Sequence, residues 1–218
     1  VFYFTVSFCF PEEGENGLDR QAWYARLESK RIIASVKRTK DLEKAMEADV
    51  GAVVLSVGNI GVIQRYVDLY RDRGIPVFIH LERIGGLSQD KEGIDFLAAY
   101  VKPTGIVSTR NSLIKWARRA GLLTIQRLFL VDSDSIRSGI LSLQETQPDA
   151  AEMMPALLPH YIPAFQQEVN CPIIAGGLIT RQEQMTQALE HGAIAVSLGS
   201  AALWKETMPD EGKQSAVV

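Results

Sequence analysis

From Arg31 onward, short apolar runs alternate with amphipathic stretches along the chain. Ile32 to Val36 reads as a strand, and so do Ala52 to Val57, Val77 to Glu82, Gly105 to Thr109, Leu123 to Val131, Ala150 to Met154, Pro172 to Ala175 and Ile194 to Leu198. These runs are almost continuously apolar, as parallel strands covered on both faces are. Between them, apolar positions recur at helical spacing over 40–48, 60–73, 94–101, 112–120, 135–144, 157–168 and 181–191. A short helix through Leu203 and Trp204 follows the last strand, and Gly74, Gly121 and Gly192 punctuate three helix ends.

Eight such units between residues 31 and 206 have about 22 residues each, enough for a strand, a helix and two short loops. Strict β/α alternation builds either an open doubly wound sheet or a closed eight-stranded barrel. Eight units without a long insertion favour a single-domain (β/α)8 barrel of the TIM type over 31–206. The first thirty residues differ. Val1 to Phe10 is an aromatic, strand-like run without the basic start of a signal peptide, and Pro11 to Gly17 is acidic and Gly-bearing. These residues read as a loosely attached extension, with an edge strand or a lid as the other reading. Leu18 to Lys30 carries Trp23, Tyr24 and Leu27 at helical spacing and reads as a short amphipathic helix before the barrel. Residues 207–218 read as a C-terminal tail.

Composition narrows the function. With 46% hydrophobic and 22% charged residues the chain can bury a full core. Its apolar runs fall well short of the roughly 18 residues that span a bilayer, so no membrane partner is expected. A net charge of −3 argues against a general polyanion binder, and any nucleic-acid contact has to be a local patch. Cys9 and Cys171 cannot make a disulfide framework or a four-ligand zinc site, so a reducing cytoplasm is the expected setting. No metal cluster and no cofactor motif stands out.

In a barrel of this kind function sits at the C-terminal strand ends. Ser35 and Lys37 close the first strand, His80 and Glu82 the third, and Ser108 and Arg110 the fourth, each pair two apart and therefore on one face. Arg127 in the fifth strand and Glu152 in the sixth are placed to pair with each other. Structural salt links would account for any one of these residues. Several strands presenting polar ends to one rim are better explained by a polar small-molecule pocket, because buried ionisable groups are costly unless paired or ligated.

The seventh strand runs into Gly176-Gly177, followed by Thr180 as candidate N-cap of the next helix, and the eighth runs into Ser197-Leu198-Gly199-Ser200. Glycines let backbone N–H groups approach an anion, and these two loops form a recurring phosphate site in the fold. A lone Gly-Gly is a tight turn; two Gly-bearing turns on consecutive final strands point to phosphate. Catalytic motifs are thin: there is no Gly-x-Ser-x-Gly elbow, Walker loop or His-Glu-x-x-His. Lys37 could form a Schiff base but is better read as a structural ion pair, and His80 with Glu82 could serve as acid and base or bind hydroxyls. The residues indicate a small phosphorylated polyol as ligand and leave catalysis undecided.

The chain resembles the glycerol-3-phosphate-responsive antiterminator family from about Arg31 to Trp204. The resemblance rests on Gly105-Ile106-Val107-Ser108-Thr109-Arg110, Thr124-Ile125-Gln126-Arg127-Leu128-Phe129, Gln147-Pro148-Asp149, Glu152-Met153-Met154-Pro155, Pro172 to Ile179 and Gly192 to Ser197. It implies a β/α barrel that binds glycerol 3-phosphate as effector and the leader messenger RNA of a glycerol-utilisation operon, as a regulator and not an enzyme. Carried over, the phosphate meets Gly176, Gly177 and the turn containing Ser197, Gly199 and Ser200. The glyceryl hydroxyls meet Glu152, Arg127 and the His80 region, with Glu82 and Lys37 alongside. Glu82 stands where the family usually has aspartate, Ala156 where it has glycine, and Leu198-Gly199-Ser200 where it has a more polar run.

For RNA, Lys115, Arg118 and Arg119 fall on one face of the fourth helix and Arg65, Arg71 and Arg73 mark the second, although a solvated helix face has the same pattern. The opposing reading is a small barrel enzyme acting on a phosphorylated three- to five-carbon compound through His80, Glu82 or Lys37. Exposed helices and modest basic patches also suggest a homodimer.

Overall fold

The computed structural model describes residues 17–206. The strands are β1 (Ile32–Val36), β2 (Ala52–Leu55), β3 (Val77–His80), β4 (Gly105–Ser108), β5 (Leu123–Phe129), β6 (Ala150–Met154), β7 (Ile173–Gly176) and β8 (Ala195–Leu198). They close in chain order into one parallel barrel, with β8 returning to β1. Helices α2 (Leu42–Glu47), α3 (Ile63–Arg71), α4 (Lys91–Phe96), α5 (Asn111–Arg119), α6 (Ser133–Thr146), α7 (Ile162–Glu168) and α8 (Gln182–Glu190) cross outside, and α1 (Gly17–Lys30) precedes β1. This is the (β/α)8 architecture expected.

Strand parity divides the core in two. Outward side chains such as Ile32, Ala34, Val53 and Ile79 pack beneath the helices, whereas Ile33, Val54, Phe78, Val107, Ile125 and Ile174 fill the barrel interior. Trp23, Tyr24 and Leu27 of α1 belong to the interior cluster. The Trp23 and Phe78 rings lie 4.7 Å apart, and the Tyr24 hydroxyl donates to the Asp149 carbonyl at 2.5 Å. The amphipathic helix thus seals the floor, the N-terminal strand ends, and the barrel opens only at the other end. The expectations for residues 1–16 and 207–218, Cys9 among them, lie outside the described residues.

Several boundaries differ for local reasons. β3 stops at His80, and Leu81–Arg83 is a 3-10 turn, because Glu82 swings to β4 and accepts from Ser108 Oγ at 2.5 Å and Thr109 N at 3.1 Å. The strands expected to reach Val57 and Val131 stop at Leu55 and Phe129. α3 begins at Ile63, after a turn in which Ile60 N donates to Gly85 O and Gly85 N to Gly58 O. α4 begins earlier than expected, at Lys91, because the Asp90 side chain caps it by accepting from Gly93 N. A 3-10 turn at Pro159–Tyr161 opens the segment that ends in α7, and the segment through Leu203 and Trp204 is one 3-10 stretch, Ala201–Lys205. Arg181, not Thr180, holds the N-cap position of α8, and the Gln184 side chain accepts from both Thr180 N and Arg181 N.

Candidate functional site

The inward parity of the strands continues past the apolar layers into a polar one. Ser35 stands above Ile33, Ser56 above Val54, His80 above Phe78, Arg127 above Ile125, Glu152 above Ala150 and Ser197 above Ala195. Arg127 and Glu152 are register partners across β5 and β6, and Nε meets Oε2 at 2.7 Å with both side chains buried. Arg127 Nη1 lies 3.2 Å from His80 Nδ1 and 3.3 Å from Nε2, while Ser56 Oγ lies 3.2 Å from Nδ1.

Burial, reinforced by the Arg127 guanidinium, pushes the His80 imidazole down to about 4, against the opposing pull of Glu82. The ring is therefore neutral near pH 7, and its 3.6 Å contact with Glu82 Oε2 is not an ion pair there. Glu152 Oε1 and Ser197 Oγ are buried with no hydrogen-bond partner. Such groups are costly without a partner, and hydroxyls of a bound polyol can both donate and accept. Gly176 makes room for this arrangement: a Cβ there would stand 2.6 Å from Glu152 Oε1.

Across the mouth, β7, β8 and β1 supply different chemistry. Gly177 has φ of +79°, a backbone angle that side chains disfavour. Among the described residues the N–H groups of Gly177, Gly199 and Ser200 meet no acceptor. A Cβ on Gly199 would lie 3.5 Å from Lys37 Nζ, so the ammonium rests against the β8 turn. Among the described residues no carboxylate pairs with Lys37, which corrects the ion-pair expectation for it. One side of the mouth thus combines backbone donors with an uncompensated positive charge, which suits a phosphate.

Lys37, His80, Arg127, Gly177, Ser197, Gly199 and Ser200 line one cavity of about 730 Å³, a volume usual for small-molecule sites. Glu152 and Gly176 lie beneath its wall, and Glu82 stands aside, engaged with β4. Ser108 and Arg110 do not line the cavity. In β4 it is Val107 that shares the interior with His80, its register partner, so Ser108 falls on the other face and holds Glu82 instead. Sequence reasoning missed Ser56, Arg83, Phe129, Met154 and Leu178 in the cavity lining. Strand parity with Val54, Arg127 and Glu152 could have revealed Ser56, Phe129 and Met154; Arg83 and Leu178 sit where chain direction is set by loops.

Lys115, Arg118 and Arg119 lie at the opposite end, around a hollow of about 450 Å³ on the barrel floor with Arg20, Glu145 and Asp149. Lys115 Nζ pairs with Glu145 at 2.6 Å, and Arg118 Nη1 donates to the Thr146 carbonyl at 2.8 Å. On α3, Arg71 pairs with Asp68 and Arg73 Nη1 donates to the Leu69 carbonyl at 2.9 Å. Among the described residues no cluster of three or more His, Cys, Asp or Glu could hold a metal ion, and no helix is long and apolar enough to cross a membrane.

An eight-stranded barrel with a polyol-like pocket and a phosphate-like turn is a widespread arrangement, and comparison with known proteins makes it specific. Residues 32–204 match the model of the glycerol-3-phosphate responsive antiterminator family, and the chain belongs to that family. The glycerol uptake operon antiterminator regulatory protein of Listeria monocytogenes is 35% identical, with a TM-score of 0.78 over 82% of this chain and 96% of that one. A glycerol uptake operon antiterminator-related protein from Thermotoga maritima is 25% identical, with a TM-score of 0.71 over 81% and 99%. An uncharacterized protein of Escherichia coli K12, YgcP, is 31% identical over 79% of this chain and 91% of its own length. Aldolase and decarboxylase barrels superpose at 12% identity, which shows the shared fold alone.

Proposed function

We propose that this protein is an effector-controlled RNA-binding antiterminator whose barrel mouth binds glycerol 3-phosphate. The observation that carries the reading is the division of one cavity into two chemistries. Lys37 and the turns after β7 and β8 take the phosphate. Arg127 and His80 take the hydroxyls, with the orphan acceptor of Glu152 beneath them. Charge-assisted contacts fix the anion, and the neutral imidazole and carboxylate orient the polyol.

Family membership supports the antiterminator half of the reading, and the RNA proposed for it is the leader of a glycerol-utilisation operon. The polar residues also argue for binding more than turnover. Glu152 is neutralised by Arg127, Glu82 is held by Ser108 and Thr109, and His80 is neutral and already contacted by Arg127 and Ser56.

The test is retardation of the leader transcript in a gel with and without glycerol 3-phosphate, beside a turnover assay on a panel of sugar phosphates. A shift that depends on glycerol 3-phosphate, without turnover, is expected. Turnover abolished by His80→Gln, with no RNA shift under either condition, contradicts the reading in favour of an enzyme.

A further inference from the structure

The loops at the barrel mouth differ from the rest of the surface in two respects. Phe129 at the end of β5, and Val131, Leu157 and Leu178 in the loops after β5, β6 and β7, are all exposed there, with Ile60 in the loop after β2. Apart from these, the large apolar side chains exposed among the described residues are only Tyr100 and Leu141. Leu178 is 68% exposed at a φ of +61°, a left-handed backbone angle uncommon for a non-glycine residue.

The same loops carry Lys37, Arg38, Lys40, Arg83, Arg110 and Arg181, all exposed. Arg38 pairs with Asp41 at 2.6 Å, but among the described residues Lys37, Lys40, Arg83 and Arg110 meet no carboxylate. Glu82 is engaged by Ser108 and Thr109, and Asp90 and Asp132 are engaged in capping α4 and α6. A chain with a net charge of −3 thus concentrates unneutralised cations around one opening. On the floor, by contrast, Lys115 and Arg118 are already held by Glu145 and Thr146.

We infer that the leader RNA docks as a single strand across the mouth itself, with phosphates on the rim cations and bases against Phe129 and Leu178, over the occupied pocket. This rests on the proposed function and names the surface that performs it. Cations tracking a backbone beside apolar and aromatic platforms are what single-stranded RNA requires. The geometry also gives the effector a direct part: the bound phosphate compensates Lys37 and is covered by the RNA, so no long-range conformational relay is needed. RNA bound over the mouth must then retard effector release.

The experiment compares Lys40→Glu/Arg110→Glu on the rim with Lys115→Glu/Arg119→Glu on the floor, using the leader transcript and radiolabelled glycerol 3-phosphate. The rim variant is expected to bind glycerol 3-phosphate within about twofold of the parent, because neither residue lines the cavity. Its RNA affinity should fall tenfold or more, and the slope of log K against log salt should drop by about 1.4 for two lost phosphate contacts on a single strand. In the parent, saturating RNA should slow effector dissociation at least tenfold. Loss of RNA binding in the floor variant alone, or effector release indifferent to RNA, overturns the inference and leaves the proposed function standing. A parent that binds effector but no RNA overturns both. Light scattering that shows the rim substitutions splitting a dimer, with RNA affinity unchanged, assigns the rim to self-association and also overturns it.

Discussion

Gly176 and Glu152 are matched across β7 and β6: a methyl group on the glycine would stand 2.6 Å from Oε1 of the carboxylate. Glu152 is in turn fixed by Arg127, so the glycine and the ion pair form one packing unit at the base of the pocket. Gly176→Ala should push the carboxylate off Arg127. A loss of about 1–3 kcal/mol of stability, the usual range for overpacking, is expected from urea unfolding, together with weaker glycerol 3-phosphate binding.

Lys37 should contribute to the phosphate and not to the polyol. Lys37→Gln removes the ammonium that rests against the β8 turn while keeping most of the side-chain length. Calorimetry should show glycerol 3-phosphate binding weakened by roughly ten- to hundredfold, equivalent to about 1.5–3 kcal/mol for a hydrogen bond to a charged group. The melting temperature should be unchanged, because among the described residues Lys37 has no ion-pair partner to lose.

His80 sets a pH dependence of defined sign. Its folded pKa is depressed to about 4 from an ordinary value of 6.5. Protonation therefore favours the unfolded chain, and the contribution of the neutral ring is fully present above 6.5 and lost as pH falls toward 4. Stability measured by urea unfolding from pH 7 to 4 should decline in the parent. His80→Gln should flatten the part of the decline between 6.5 and 4, and an unaltered slope would remove His80 as its source.

The floor helix should be integral to the fold. Trp23 is fully buried against Phe78 inside the barrel. Trp23→Ala should cost about 3–5 kcal/mol, as large-to-small core changes do, read as a drop in urea midpoint. A barrel indifferent to this change would show that α1 only lies against the floor.

The barrel was legible because parallel strands covered on both faces leave apolar runs that need no knowledge of their neighbours. Arg127 pairing with Glu152 was legible for a related reason: both lie on adjacent strands at matching distance from the strand end. Ser108 was misplaced because inward parity in β4 is fixed by its register with β3 and β5, a cross-strand property that no single run displays. Glu82 was misplaced because a side-chain bond to Ser108 ends β3 two residues early. The seat of Lys37 against the β8 turn and the plugging role of α1 depend on contacts between the chain's start and its far strands, which local pattern does not carry.

Under the proposed function, occupancy of the mouth by glycerol 3-phosphate controls RNA binding. The most direct measurement is the glycerol 3-phosphate concentration giving half-maximal retention of leader RNA, in the parent and in Gly177→Val. Valine at a φ of +79° strains the β7 turn and brings a branched side chain to the phosphate end. With the variant shown by its melting curve to be folded, the midpoint should move up by about 10²-fold or more, each factor of ten being about 1.4 kcal/mol. The same midpoint in both proteins would contradict the claim.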